Sequence, residues 1–153
     1  MNQVQSKNES EALEASRPVY TLSIASNLSD VPGHSIRQYI DRGLLIPYKL
    51  DSKRHLFSAN DIKRLKHIHD LIHDRGLNFA GIRASMAMIP CWAIRKCSSS
   101  DRKSCQAYTA NYYPCWEASQ KGTLCKNENC RECEVYCRIT EERDLKSVII
   151  DLI

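Results

Sequence analysis

Residues 1–18 are polar and show no apolar periodicity, so this stretch is predicted to be a disordered tail. From Val19 the pattern changes. Leu22, Ile24, Ala25 and Leu28 predict a short helix, Ser29-Asp30-Val31-Pro32-Gly33 a turn, and Ile36, Ile40 and Leu44 the buried side of a second helix. Gly43 stops that helix, after which Ile46 to Leu50 and His55 to Phe57 read as a hairpin around Asp51-Ser52-Lys53-Arg54. Ser58 is a candidate N-cap and Asp61 a first-turn acid for a third helix, whose inward positions are Ile62, Leu65, Ile68, Leu71 and Ile72. Arg75-Gly76 ends it. Asn78 caps a further short helix, Phe79 to Met88, which stops before Pro90. At the other end of the chain, Thr140 reads as an N-cap and Glu141 and Glu142 suit the helix dipole, while Leu145, Val148, Ile149 and Leu152 share one face that Ile150 and Ile153 widen. That stripe must be buried, either on its own chain or against a second subunit.

Two short helices across a tight turn form a helix-turn-helix unit, in which early residues of the second helix reach base edges and their neighbours hold phosphates. Ser35, Arg37, Gln38, Tyr39 and Arg42 lie on or beside the exposed side of this helix. Arg pairs in bidentate fashion with guanine and Gln with adenine, which suits Arg37 and Gln38 to base or phosphate contact. The hairpin behaves as a wing, and its basic residues Lys49, Lys53, Arg54 and His55 suit phosphate contact. The net charge of +4 is only mildly basic, but residues 34–69 hold eight Lys or Arg against three acids. His67, His69 and His73 share the third helix; without a third ligand, the last two read as part of a polar face rather than a metal clamp.

All eight cysteines fall between Cys91 and Cys137, spaced Cys91-x5-Cys97-x7-Cys105-x9-Cys115-x9-Cys125-x4-Cys130-x2-Cys133-x3-Cys137. An imperfect repeat runs through them. Pro90-Cys91-Trp92 leads to Cys105-Gln106-Ala107-Tyr108, and Pro114-Cys115-Trp116 leads to Cys133-Glu134-Val135-Tyr136. Ile94, Leu124 and Val135 are the segment's large aliphatic residues, too few to offset its ordering entropy by burial, so cross-links or metal are needed. The first eighteen residues lack the apolar run of a secretory signal, and no later segment is long enough to cross a bilayer, so a cytoplasmic, reducing compartment is expected. That favours metal over disulfides. No histidine lies among the cysteines, so the ligand sets are all-thiolate: two four-thiolate sites, or one with spare thiols. Four thiolates suit structural zinc and iron–sulfur clusters alike. Cys125-x4-Cys130-x2-Cys133 matches three ligands of the plant-ferredoxin spacing, whereas a zinc ribbon would show two CxxC knuckles where this chain has one. The choice stays open between them. Trp92 and Trp116 are either shields for the sulfurs or the module's small core.

The residues Ile36-Arg37-Gln38-Tyr39, Arg42-Gly43-Leu44-Leu45-Ile46-Pro47, Arg54-His55-Leu56-Phe57-Ser58, Asp61-Ile62 and Gly76-Leu77-Asn78-Phe79-Ala80-Gly81-Ile82 resemble the DNA-binding domain of the MerR family, and more closely its heat-shock-repressor branch. The resemblance implies a winged helix-turn-helix homodimer on a pseudo-palindromic promoter site in double-stranded DNA, with bending or untwisting of that DNA and RNA polymerase as a further partner. Two departures stand out. Pro32-Gly33 replaces a polar cap, and the long coiled-coil helix that makes the family's dimer is missing. The segment from Cys91-Trp92 through Cys115-Trp116-Glu117 and Gly122-Thr123 to Val135-Tyr136 resembles the Cys-Trp repeat called a two-CW domain, which implies a metal or redox role; Cys137 extends that pattern.

The expected architecture is mainly α: a winged helix-turn-helix domain over 19–89, a small irregular cysteine-rich metal-binding module over 90–138, and an amphipathic helix over 139–153. The expected function is transcription regulation by a module that senses redox or metal state. A structural zinc module regulated by a partner protein, or a metal- or electron-carrying protein with a docking helix-turn-helix, are the alternatives. An enzyme is not expected: Cys130-Arg131-Glu132-Cys133 has a redox CxxC spacing but lacks the βαβ pattern around it.

Overall fold

The computed structural model describes residues 2–51, 53–138 and 145–153. Helices dominate. The first, α1, spans Asn2–Ser16, where disorder was expected. Its sequence holds Gln, Lys, Glu, Ala and Leu with no Gly or Pro before Pro18, so backbone propensity carries a helix that is almost wholly exposed. Helix α2 (Leu22–Ser29) starts at Thr21, whose hydroxyl accepts from the Ile24 N–H, and ends at Asp30 in the left-handed region. The reading helix α3 (Gly33–Asp41) has Pro32 at its N-cap with no side-chain cap bond. Ile36 and Leu44 are fully buried, and Gly43 turns the chain at φ 73°, so the expected stop is where the periodicity placed it.

The wing is small. Strands β1 (Tyr48–Lys49) and β2 (His55–Leu56) pair antiparallel, Tyr48 opposite Leu56 and Lys49 opposite His55. At its tip the Asp51 carboxylate accepts from the N–H groups of Lys53 and Arg54, both at 2.9 Å. An added bridge joins Phe57 to Tyr20, which the sequence pattern did not announce. Helix α4 (Ala59–His73) opens with a capping box between Ser58 and Asp61 and buries Ile62, Leu65 and Ile68. Gly76, at φ 72°, closes the connection, and Asn78 caps α5 (Phe79–Ala87) by accepting from the Gly81 N–H at 2.8 Å.

Beyond Pro90 the elements shorten to α6 (Cys91–Arg95), α7 (Ser99–Lys103), α8 (Gln106–Thr109), 3-10 turns at Cys115–Glu117 and Cys130–Glu132, and α9 (Glu134–Cys137). The sequence repeat is visible in space. Trp92 meets Tyr108 edge to face at 5.3 Å, and Trp116 meets Tyr136 in the same way at 5.0 Å. The last helix, α10, covers Leu145–Ile150. Val148 is fully buried and Leu145 and Leu152 pack on the same core, so the apolar stripe docks on its own chain, while Ile150 and Ile153 stay exposed. The expected roles of Thr140, Glu141, Glu142 and Ser52 lie outside the described residues. One buried cluster runs from Ala25 and Phe57 through Ile82 to Ile94, Val135 and Val148, so the core is continuous across residue 90. No described helix is long and apolar enough to cross a membrane.

Candidate nucleic-acid interface and thiol cavity

Helix α3 and the wing flank a cleft of about 520 Å³ lined by Arg37, Lys53, Arg54 and His55, with Asp41 as its acid. Two separate sequence stretches thus deliver four of the expected DNA-contact residues to one place. Gln38, Arg42 and Lys49 are exposed nearby and Ser35 is half-buried. Arg42 lies over the Phe79 ring at 5.3 Å, which braces its guanidinium without covering it. The expectation for Tyr39 is corrected. It is 1% exposed, packs edge to face on Phe79, and its hydroxyl sits 3.4 Å from His69 Nδ1. The ring falls on the inward side of α3, three residues after Ile36, and burial pushes its phenol pKa up. Tyr39 is a core residue. Arg64, counted in the basic excess, is also buried and faces the cysteine module rather than the cleft.

His69 and His73 stack at 4.1 Å between centroids and His67 is buried; among the described residues no histidine joins a three-ligand metal group.

Seven cysteines, 91, 97, 105, 115, 125, 130 and 133, line a single cavity of about 50 Å³ with both tryptophans. The tryptophans both line the cavity, and each packs edge to face on a tyrosine of the module. Cys137 departs from its expected place: it lies outside that cavity, exposed, with its thiol donating to the Arg131 carbonyl at 3.4 Å. Cys133 is the extended N-cap of α9 and not part of the helix, so the four-residue spacing does not put the two sulfurs on one helical face.

Burial first, and neighbouring thiols second, push the Cys91 thiol up to about 11 and the Cys115 thiol up to about 12. Cys125 is raised for the same reason. Lys121 donates to Cys130 Sγ at 3.1 Å, but the cavity's cations, Arg95 and Lys121, are matched by Asp101 and Glu128. Burial thus favours the protonated form of Cys91, Cys115 and Cys125, and a bound cation would supply the charge their thiolates need. As a donor set the lining is soft and all-sulfur, which fits zinc or an iron–sulfur cluster. As geometry it is open: among the described residues no three Cys, His, Asp or Glu side chains already stand within reach of one ion.

Sequence reasoning missed the junction between the two parts. Trp116 Nε1 donates to the Gly43 carbonyl at 2.7 Å. Tyr136 Oη accepts from the Ile46 N–H at 2.8 Å, and Arg131 donates to the Ile46 carbonyl at 2.6 Å and to both oxygens of Asp61. The Arg64 guanidinium lies 3.7 Å over the Tyr136 ring and donates to the Tyr136 carbonyl. Arg83 pairs with Glu117. The available signal was a charge on an apolar stripe: Asp61 and Arg64 fall beside Leu65 and Ile68 on the inward face of α4.

Residues 20–89 match the family model described as MerR HTH family regulatory protein. The chain is 38% identical over 66 residues to the "Putative heat shock protein HspR" of Streptomyces coelicolor, covering 43% of this chain and 44% of that protein. It is 37% identical over 73 residues to the "HTH-type transcriptional regulator GlnR" of Bacillus anthracis and of Bacillus cereus, covering 48% of this chain and 56% of each. The chain thus spans about half the length of the curated relatives it matches, and the family match ends at residue 89, before Cys91. Residues 20–89 of this chain are similar to the MerR-type helix-turn-helix domain, and the likeness covers a little under half of the chain.

Proposed function

We propose that this protein is a DNA-binding transcriptional regulator of the MerR type, cytoplasmic and homodimeric, whose cysteine module holds zinc or an iron–sulfur cluster and senses metal or redox state. The observation that carries the DNA reading is the cleft that gathers Arg37, Lys53, Arg54 and His55 from the reading helix and the wing. The partner is double-stranded DNA with a pseudo-palindromic promoter site, its half-sites about one helical turn (roughly 34 Å) apart, with RNA polymerase engaged at the same promoter. The sensing reading rests on the convergence of seven thiols on one cavity. Cys91, Cys97, Cys105, Cys115, Cys125, Cys130 and Cys133 would hold the metal, which supplies cationic charge and, as a cluster, a redox couple. A structural zinc role has its own support, because Cys91, Cys115 and Cys133 pack against the common core.

Anaerobic purification with iron, zinc and acid-labile sulfide analysis tests the cavity, and selection of duplexes from a random pool tests the cleft. Iron with sulfide and a broad visible absorption band is the sensing outcome; zinc without sulfide is the structural one. A chain that selects no sequence sinks the regulator reading.

A further inference from the structure

Ile46 occupies a special place. It precedes Pro47 and the first wing strand, and it follows the Gly43 stop of the reading helix, so its orientation sets how helix and wing meet. Among the described residues neither of its backbone polar groups bonds within the helix-turn-helix domain: the N–H donates to Tyr136 Oη at 2.8 Å and the carbonyl accepts from Arg131 Nη1 at 2.6 Å. The wing itself is a pair of two-residue strands, far below what stands alone in water. Its root is held by the cysteine module.

Arg131 does more than bond Ile46. Its Nη2 donates to Asp61 Oδ2 at 2.6 Å, and that same oxygen accepts from the Ser58 N–H at 2.8 Å to close the capping box of α4. Ser58 follows the second wing strand after one residue, Phe57. One guanidinium, 11% exposed on its side chain, therefore grips the wing before its first strand and after its second. It sits in the 3-10 turn Cys130–Glu132, between Cys130 and Cys133, and both of those thiols line the cavity. Trp116, next to the cavity's Cys115, makes the parallel contact to Gly43.

Building on the proposed sensing role, we propose that Arg131 is the positioning residue that couples the thiol cavity to the DNA-reading surface. Closure of Cys130 and Cys133 on a metal fixes the turn between them, and the turn fixes Arg131 on Ile46 and Asp61. Opening of the cavity frees the turn and lets the wing root move relative to α3. The state of the cavity is read as wing geometry, with no coiled coil in the path.

The test is amide exchange at Ile46, followed by NMR on the labelled full chain before and after metal removal with a chelator under reductant. Loss of these buried bonds should accelerate exchange at Ile46 by about tenfold or more, while Ile68, inside α4, changes by less than about twofold. Arg131→Met should exchange fast in both states, and Arg131→Lys, which keeps one charged donor, should fall between. Tyr136→Phe removes the acceptor for Ile46 alone and serves if the Met variant does not fold. Equal Ile46 exchange in loaded and stripped wild-type chain overturns the coupling. A chain purified without metal sinks the sensing role through the metal analysis alone. The coupling is then read after blocking the cavity thiols with N-ethylmaleimide, and unchanged Ile46 exchange there overturns it as well.

Discussion

Gly43 ends the reading helix at φ 73° and lies against the module, which makes Gly43→Ala a test of the junction that needs no knowledge of the ligand. Two costs combine. An L-residue in the left-handed region carries about 1–2 kcal/mol. The new Cβ would also sit 1.5 Å from Glu117 Oε1 and 2.4 Å from its Cδ, so the carboxylate has to swing away and leave Arg83. Both partners of that pair are part-exposed, so its loss adds at most about 1 kcal/mol. The single variant should therefore lose roughly 1–3 kcal/mol in urea unfolding followed by far-ultraviolet circular dichroism. Glu117→Ala separates the two terms. In the wild-type background it should cost the value of the ion pair; on top of Gly43→Ala it should cost nothing further, because the pair is already broken. Equal costs of Glu117→Ala in both backgrounds would show that Glu117 does not pack on the end of α3, and a Gly43→Ala variant within about 0.5 kcal/mol of wild type would refute the left-handed turn itself.

Asp61→Ala removes both the capping box of α4 and the buried partner of Arg131, and a loss of about 3–5 kcal/mol is expected by chemical denaturation; under 1 kcal/mol would mean the pair is not buried in solution. On a duplex selected by the wild-type chain, replacing Arg37 or Gln38 should erase sequence preference, whereas replacing Lys53 should weaken binding to every sequence and lower the salt slope by about one unit. Uniform loss on selected and random duplexes for all three would refute that division. The pH dependence follows from the thiols. Cys91 and Cys115 ionise near 11 and 12 in the fold against an ordinary 9.0, so below pH 9 both states hold these protons and no stability is lost. As pH rises from 9 towards 12 the unfolded chain ionises first, and the reduced, metal-free protein should lose stability across that window; a flat profile there would place the thiols in water. Because the buried cluster crosses residue 90, tryptophan fluorescence from Trp92 and Trp116 and helical ellipticity should report one coincident unfolding transition.

Local chemistry was legible wherever one residue decides the outcome nearby: the Gly43 and Gly76 stops, the Ser58 and Asn78 caps, the inward Ile36, Leu65 and Ile68. Tyr39 was misplaced because a 3.6-residue period leaves a boundary position between faces, and what settles it is Phe79 and His69, far off in sequence. Helix α1 was missed because absence of an apolar stripe was taken as absence of structure, whereas its residues favour helix without burying anything. The convergence of seven thiols was foreseen in kind, since a segment so poor in aliphatics has to be organised around its cysteines. Cys137 fell out of that set because spacing does not say that Cys133 caps α9 rather than joining it. The junction was invisible for a simpler reason: hydrogen bonds from side chains to the backbone of Gly43 and Ile46 leave no pattern at the accepting residues.

The repeat in the cysteine module explains how so small a core suffices. Each half supplies one Trp–Tyr pair, and each tyrosine ring has one arginine near it, Arg102 at 5.8 Å from Tyr108 and Arg64 at 3.7 Å from Tyr136. In the first half the arginine comes from the module itself, and Tyr108 stays 41% exposed. In the second it comes from α4 of the helix-turn-helix domain, and Tyr136 is 4% exposed. The two halves share a design but not a neighbour: one closes the cavity, the other also serves as the floor on which the end of the reading helix and the root of the wing rest. Any change that separates the sulfurs of the second half must therefore act on the aromatic pair and the arginines that hold Gly43, Ile46 and Asp61, and the helix-turn-helix domain cannot remain indifferent to it.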